Sequence, residues 1–100
     1  MKIKAAALAS AIVLAALAAP AAGQSRGSVC LVADPTGTLL NVRATPNGRV
    51  VGEIVNGVWV RVGDMAAVNG KPWALIHDSD MAGTLGDRLG WVFAAYLKCR

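Results

Sequence analysis

The amino-acid sequence predicts an all-β domain that folds into a small barrel. Short runs of strand-forming residues recur from Val29 onward, and turns rich in glycine, proline and asparagine separate them. No stretch after residue 23 has the long periodicity of an amphipathic helix. About 77 residues remain there, and closure into a barrel removes exposed strand edges in so short a domain.

Residues 1–23 are predicted to be a signal peptide with a helical apolar segment. Lys2 and Lys4 form a basic start, an uncharged apolar run follows over Ala5–Ala19, and small residues place the cleavage site between residues 21 and 24. The alternative is an uncleaved anchor, but the run is shorter than the ~20 residues that span a bilayer. We therefore expect a periplasmic or secreted protein with no stable membrane anchor after cleavage.

The charge of the remaining chain is small. Eight of the ten basic residues lie after the predicted leader, against six acidic residues, which leaves a net charge of +2. These charges are scattered, whereas nucleic-acid binding needs a clustered basic face. Nucleic acid is therefore not an expected partner.

Cys30 and Cys99 are the two cysteines of the chain. An even cysteine count in an exported protein favours a disulfide. The alternative is a nucleophilic or redox cysteine, but a position near each end of the mature chain favours a structural bridge.

Six strands are predicted after a flexible lead-in at residues 24–28, each a short run rich in valine, leucine, isoleucine or tryptophan: Val29–Val32, Leu39–Arg43, Val50–Val55, Val58–Val62, Trp73–Ile76 and Trp91–Phe93. Turns are predicted between them at Asp34–Gly37, Thr45–Gly48, Asn56–Gly57 and Asn69–Pro72. Asn56-Gly57 is the strongest hairpin signal, so it is predicted to join the third and fourth strands as a hairpin.

Alternation in the fourth strand puts its valines on one face and Trp59 with Arg61 on the other. We expect this tryptophan to cover the sheet, with Arg61 stacked beside it, rather than to form a ligand site. Asp78–Leu89 lacks a clean period and is longer than a hairpin turn needs, which indicates a functional or mobile loop. Ala94–Leu97 is predicted to form one helical turn.

Four motifs occur in order along the chain and together resemble the bacterial SH3 (SH3b) domain. They are Leu40-Asn41-Val42-Arg43-Ala44-Thr45-Pro46, Val51-Gly52-Glu53-Ile54 with Asn56-Gly57, Trp73, and Gly90-Trp91-Val92 with Tyr96-Leu97. The resemblance implies an SH3-like, partly open barrel over residues 29–100, with a 3-10 turn before a short last strand. It also implies binding of cell-wall peptides or protein partners. The sequence departs from the family pattern at Asp78–Leu89, where the family has a tight turn.

A shallow binding groove on the barrel surface is the candidate site. By resemblance to SH3-type domains, its lining is predicted from residues at strand ends, in loops and on the helical turn, with the two aspartates at the rim: Arg43, Thr45, Asn47, Trp73, Asp78, Asp80 and Tyr96. Aromatic side chains with a polar tip suit a wet binding face. Trp91 and Phe93 are expected in the core, and Trp73 is left open between core and groove.

Catalysis, metal binding and cofactors are not expected. His77 is the single histidine, so no nucleophile, base and orienting group can be assembled. His77-Asp78-Ser79-Asp80 falls short of the ligand sets of structural zinc and of calcium.

The predicted function is a non-catalytic binding module, expected to be a monomer, for peptidoglycan peptide or an envelope protein. The alternative is a small inhibitor or accessory subunit of a separate envelope enzyme, acting through Asp78–Leu89.

Overall fold

The computed structural model describes residues 25–100, so the predicted signal peptide lies outside the described residues. The described chain forms seven strands and one 3-10 turn, in the order β1 (Val29–Val32), β2 (Leu40–Arg43), β3 (Val50–Ile54), β4 (Trp59–Val68), β5 (Lys71–Asp78), β6 (Arg88–Phe93), the 3-10 turn (Ala94–Tyr96) and β7 (Leu97–Cys99). The all-β prediction with one 3-10 turn is confirmed. Within these residues, no helix has the length and apolar character needed to cross a membrane.

The strands form one antiparallel sheet with the order β3-β2-β6-β5-β4-β1-β7. The sheet does not close, because β3 and β7 are its two ends. This agrees with a partly open barrel rather than a fully closed one.

β4 and β5 form the longest hairpin of the sheet, and both strands are longer than predicted. Asn69 and Gly70 form its turn with φ values of 52° and 77°, the left-handed pair that matches strand twist. A register shift between Val62 and Asp64 interrupts the alternation, which is why the fourth strand was predicted to end at Val62. Pro72 lies inside β5 rather than in the turn. Its missing N–H is tolerated because β5 pairs with β6 only from Trp73 onward.

The predicted hairpin at Asn56-Gly57 is wrong. β3 pairs with β2, and β4 pairs with β5 and β1, so the two strands flanking this turn are not partners. The turn is instead attached to the end of β1. The Asp34 N–H donates to Asn56 Oδ1 at 2.8 Å, Asn56 Nδ2 donates to the Asp34 carbonyl at 3.1 Å, and the Gly57 N–H donates to the Val32 carbonyl at 2.8 Å.

The core lies on the concave side of the sheet, where alternate strand residues point inward. Its members are mostly aliphatic: Cys30, Val32, Leu40, Val42, Val60, Val62, Ala74, Ile76, Val92, Ala94 and Leu97. The expectation that Trp91 and Phe93 belong to it is wrong, since both are half-buried. Val92 points into the core, so its two neighbours in β6 point to the outer face.

The predicted disulfide between Cys30 and Cys99 is present. The two residues are direct partners in the β1–β7 register, so the bond joins the first strand to the short last strand. On the outer face of the same region, Arg100 rather than Arg61 lies over Trp59, with its Cζ 5.1 Å from the ring centroid. Arg61 instead donates to the Gly83 carbonyl at 2.9 Å.

Candidate functional site

The outer face of β2, β5 and β6 gathers aromatic side chains next to an arginine. In the strand register Trp73 lies opposite Phe93, and Trp91 lies opposite both Leu75 and Arg43. Ala74 and Val92, the buried partners between these positions, point to the other side of the sheet. Because side chains point alternately to the two faces of the sheet, the residues between the core positions lie together on this outer face.

Three aromatic rings on this face are in contact. Trp73 and Phe93 have ring centroids 5.6 Å apart at a tilted angle. Phe93 and Tyr96 have centroids 5.2 Å apart and meet edge to face. Such pairs contribute about 0.5–1.5 kcal/mol each beyond the area they bury. Phe93 therefore links the strand pair to the 3-10 turn and holds Tyr96 in position.

Arg43 completes the row by lying over Trp73, with Cζ 5.6 Å from the ring centroid. Its Nη1 donates to the Gly48 carbonyl at 2.7 Å. One end of the guanidinium is thus fixed by the turn that follows β2, and the plane of the group is held against the indole. This fixes a positive charge beside the aromatic rings.

These side chains line a cleft of about 180 Å³ that we call the aromatic cleft. Its lining comes from the loop before β2 as well as from the outer face of the sheet: Asp34, Thr38, Leu39, Leu40, Asn41, Arg43, Trp73, Phe93 and Tyr96. Leu39 is 46% exposed at its rim. Trp73 is only 7% exposed, but it is covered by its outer-face neighbours and lies outside the core cluster. Trp73 therefore belongs to the cleft wall and is at the same time almost completely buried.

Asp34 adds a carboxylate to the lining of the cleft. Hydrogen bonds from the hydroxyl and then the backbone N–H of Thr36 lower the pKa of Asp34 below its usual value. These two donors lie 2.7 and 2.8 Å from Asp34 Oδ1. The cleft lining therefore carries both a negative group, Asp34, and a positive one, Arg43, at neutral pH.

The seven residues predicted from sequence do not all meet in one place. Arg43, Trp73 and Tyr96 line the aromatic cleft, whereas Thr45 and Asn47 do not. Thr45 and Asn47 belong to the turn after β2, where Thr45 accepts a hydrogen bond from the Gly48 N–H and Asn47 has a φ of 57°. Their contribution to the cleft is to shape the turn whose Gly48 carbonyl holds Arg43.

Asp78 and Asp80 lie away from the aromatic cleft. Asp78 lines a separate groove beside β3. Asp80 caps its own loop by accepting a hydrogen bond from the Thr84 N–H at 3.0 Å. That bond, followed by the contribution of the Thr84 hydroxyl, lowers the pKa of Asp80.

The loop between β5 and β6 is fastened to the sheet and to itself. Arg61 and His77 contact the carbonyl oxygens of Gly83 and Gly86, at 2.9 and 3.2 Å. Ser79 donates to the Thr84 carbonyl at 2.7 Å. Although the backbone is fixed in this way, two large apolar side chains of the loop remain exposed: Met81 at 62% and Leu85 at 58%.

The sequence prediction missed six cleft residues: Asp34, Thr38, Leu39, Leu40, Asn41 and Phe93. Two of them carried a usable signal. Asn41 shares a face with Arg43 in β2, and Phe93 shares a face with Trp91 in β6, once Val42 and Val92 are assigned to the core. Leu39 and Asp34 lie in a loop whose return to the sheet has no periodic signature.

Among residues 25–100, no group of three or more histidine, cysteine, aspartate or glutamate side chains is placed to hold a metal ion. Comparisons of the chain with protein-family models, curated proteins and solved structures gave no match.

Proposed function

We propose that this protein is a non-catalytic binding module of the cell envelope, periplasmic or secreted, that holds an extended peptide in the aromatic cleft. The peptide belongs to the cell wall or to an envelope protein. The observation that carries the proposal is the contact row Arg43, Trp73, Phe93 and Tyr96 on the solvent side of the sheet. Aromatic residues and arginine are the side chains enriched at binding hot spots.

Two further observations support this function. The motifs around Arg43, Trp73 and Tyr96 resemble those of SH3b domains, which are wall-targeting modules. The disulfide is consistent with an oxidising compartment such as the periplasm.

The chemistry of the cleft favours a peptide over a purely apolar ligand. Half-buried rings supply flat apolar surface for a backbone or a small side chain. Arg43 supplies donors for a carboxylate or carbonyl, and Asn41, exposed at the edge of β2, supplies an amide. Asp34, also in the lining, supplies a carboxylate for an amino group.

Sedimentation with isolated sacculi is the direct test. We expect the oxidised protein to co-sediment, and the Tyr96→Ala variant to bind about tenfold more weakly, because truncating an aromatic anchor removes a central contact. Trp59→Ala is the matched control, because Trp59 also lies under an arginine but outside the cleft.

A comparison of wild type with Tyr96→Ala also distinguishes a cell-wall ligand from an envelope protein. If the protein stays in the supernatant but a single envelope protein co-purifies in a Tyr96-dependent way, the ligand is that protein. Equal binding by wild type, Tyr96→Ala and folded Arg43→Gln would remove the cleft from the function.

A second candidate function is inhibition or support of a separate envelope enzyme by the loop between β5 and β6. Met81 and Leu85 favour it, because they are exposed on a backbone that hydrogen bonds already hold. A loop whose backbone is already held loses less conformational freedom on docking than a mobile one. The Met81→Ser/Leu85→Ser double variant is expected to lose capture of such a partner while keeping its binding to sacculi.

A further inference from the structure

A second groove runs along β3, apart from the aromatic cleft. It has a volume of about 320 Å³ and is lined by four consecutive residues of β3, Val51–Ile54, with Val42, Asp78 and Leu89. Successive strand residues point to opposite faces. Four consecutive lining residues therefore bring side chains of both faces of β3, and the backbone between them, to the groove.

β3 is an unprotected end of the sheet. It pairs with β2 on one side, and no described strand pairs with its other side. Val50 and Val51 are 43% and 48% exposed. The strand contains no proline, and its only charged residue is Glu53. Edges of this kind present free backbone donors and acceptors to other chains.

Gly52 leaves the groove open at its centre. A Cβ atom added there would meet nothing within 4 Å. Gly52 is also not among the glycines with positive φ, so its backbone conformation accepts other residues. The space beside it can therefore receive a side chain from an added strand.

The lining combines aliphatic surface with negative charge. Val42, Val51, Ile54 and Leu89 are aliphatic, Glu53 and Asp78 carry carboxylates, and no basic side chain lines the groove. Complementarity therefore favours an occupant that brings aliphatic side chains together with cationic ones.

We propose that the free edge of β3 binds an extended segment of a partner protein in which aliphatic residues alternate with lysine or arginine. The segment adds as a strand, so its backbone hydrogen-bonds to β3. Its aliphatic side chains enter the groove on the Gly52 face of β3, and its basic side chains, on the opposite face of the added strand, meet Glu53. The site is distinct from the aromatic cleft and does not depend on the function proposed for that cleft.

Titration of the oxidised, ¹⁵N-labelled protein with the peptide acetyl-Lys-Val-Lys-Val-Lys-amide tests this site. We expect saturable shifts of the amide signals of residues 50–54 and 89, with slower hydrogen exchange in β3. Raising the salt concentration to about 0.5 M should weaken the binding, because salt screens the carboxylates. The peptide with glutamate in place of lysine should cause no saturable shift.

Variants then separate the backbone edge from the charge. Gly52→Val should fill the groove and weaken binding about tenfold with little change in melting temperature, since an added Cβ meets nothing within 4 Å and β-branched residues suit a strand. Glu53→Gln should weaken it about two- to fivefold. Asp87→Asn, outside the groove, is the charge-matched control and should bind normally, as should Tyr96→Ala.

Three results would overturn the proposal. The first is equal binding of the lysine and glutamate peptides, and the second is full binding by folded Gly52→Val. The third is the appearance of the same β3 shifts on concentrating the protein alone, which would assign the edge to a second copy of the chain.

Discussion

Cys30 and Cys99 face each other as direct partners in the antiparallel register of β1 and β7, and they form a disulfide across 69 residues of sequence. Cys30 is also completely buried in the core. The bond therefore closes nearly the whole described domain into one covalent loop. A cross-link of this kind stabilises mainly by limiting the freedom of the unfolded chain.

Removing the bond in a Cys30→Ala/Cys99→Ala double variant should lower the free energy of unfolding by about 2–4 kcal/mol. Alanine is chosen because a serine hydroxyl at position 30 would be buried. Urea unfolding measures the change. The intact protein should have a mass two hydrogens below the reduced form and no free thiol after unfolding. An unchanged urea midpoint would show that the bond adds nothing to stability.

Gly90→Ala should lower the free energy of unfolding by about 2 kcal/mol or more. Gly90 has a φ of 143°, and an added Cβ would lie 2.7 Å from both the Arg43 carbonyl oxygen and Val42 Cγ1. The matched control is Gly52→Ala, at a strand position with open space and no positive φ. Equal urea midpoints for the two variants would contradict this account of Gly90.

Ile76→Ala should cost about 2–5 kcal/mol, because Ile76 is fully buried in the core and its truncation leaves a cavity. Leu85→Ala removes a similar number of atoms from a side chain that is 58% exposed. It should change the free energy of unfolding by less than about 0.5 kcal/mol. Parallel urea titrations compare the two, and a large cost for Leu85→Ala would mean that this loop side chain packs on the domain.

Stability should fall as the pH drops below about 4, the usual pKa of an aspartate in an unfolded chain. Donors from Thr36 lower the pKa of Asp34 in the folded protein. Its stabilising contribution is therefore complete above the unfolded pKa and is lost as the pH falls through the lower folded value. Asp34→Asn should reduce stability at pH 7 and make the acid decline shallower, as measured by urea midpoints from pH 7 to 2.5.

Part of that decline should remain in the Asp34→Asn variant. The pKa of Asp64 is lowered by the Met65 N–H and then by Arg26, and the pKa of Asp80 is lowered by Thr84. The control is Asp87→Asn, because the described residues give the Asp87 side chain no hydrogen bond. An acid decline equally steep in wild type and Asp34→Asn would exclude Asp34 as a contributor.

Arg61→Ala should loosen the loop between β5 and β6 without unfolding the sheet. The guanidinium donates to the Gly83 carbonyl and so fastens the loop to β4. Hydrogen exchange of the Gly83, Thr84 and Gly86 amides should become faster, while that of core amides such as Ile76 stays unchanged. Arg88→Ala is the control, and the same acceleration there would show a nonspecific charge effect.

The sequence was sufficient for features set by local chemistry. Alternation placed Leu40 and Val42 on the core face, and the Asn-Gly pair at 69–70 marked a true hairpin. The same dipeptide at 56–57 did not, because side-chain bonds between Asn56 and Asp34 direct the chain to β1. Contacts between residues so far apart in sequence have no local signature.

The candidate site was predicted in part for the same reason. Arg43, Trp73 and Tyr96 stand out by residue type, and all three line one cleft. Phe93 was misassigned because large aromatic residues in a strand are usually core residues, and its direction depends on the register with Trp73. Asp78 and Asp80 were placed with the cleft because the sequence does not show how their loop folds back.

The position of the disulfide also determines how the domain responds to mechanical force. Tension applied outside Cys30 and Cys99 passes through the sulfur–sulfur bond, so the strands between these residues carry none of it. The hydrogen bonds of the sheet and both grooves are thereby shielded from pulling at the chain ends. A protein that is pulled between the segments outside the two cysteines can therefore bear that load with its binding faces undistorted.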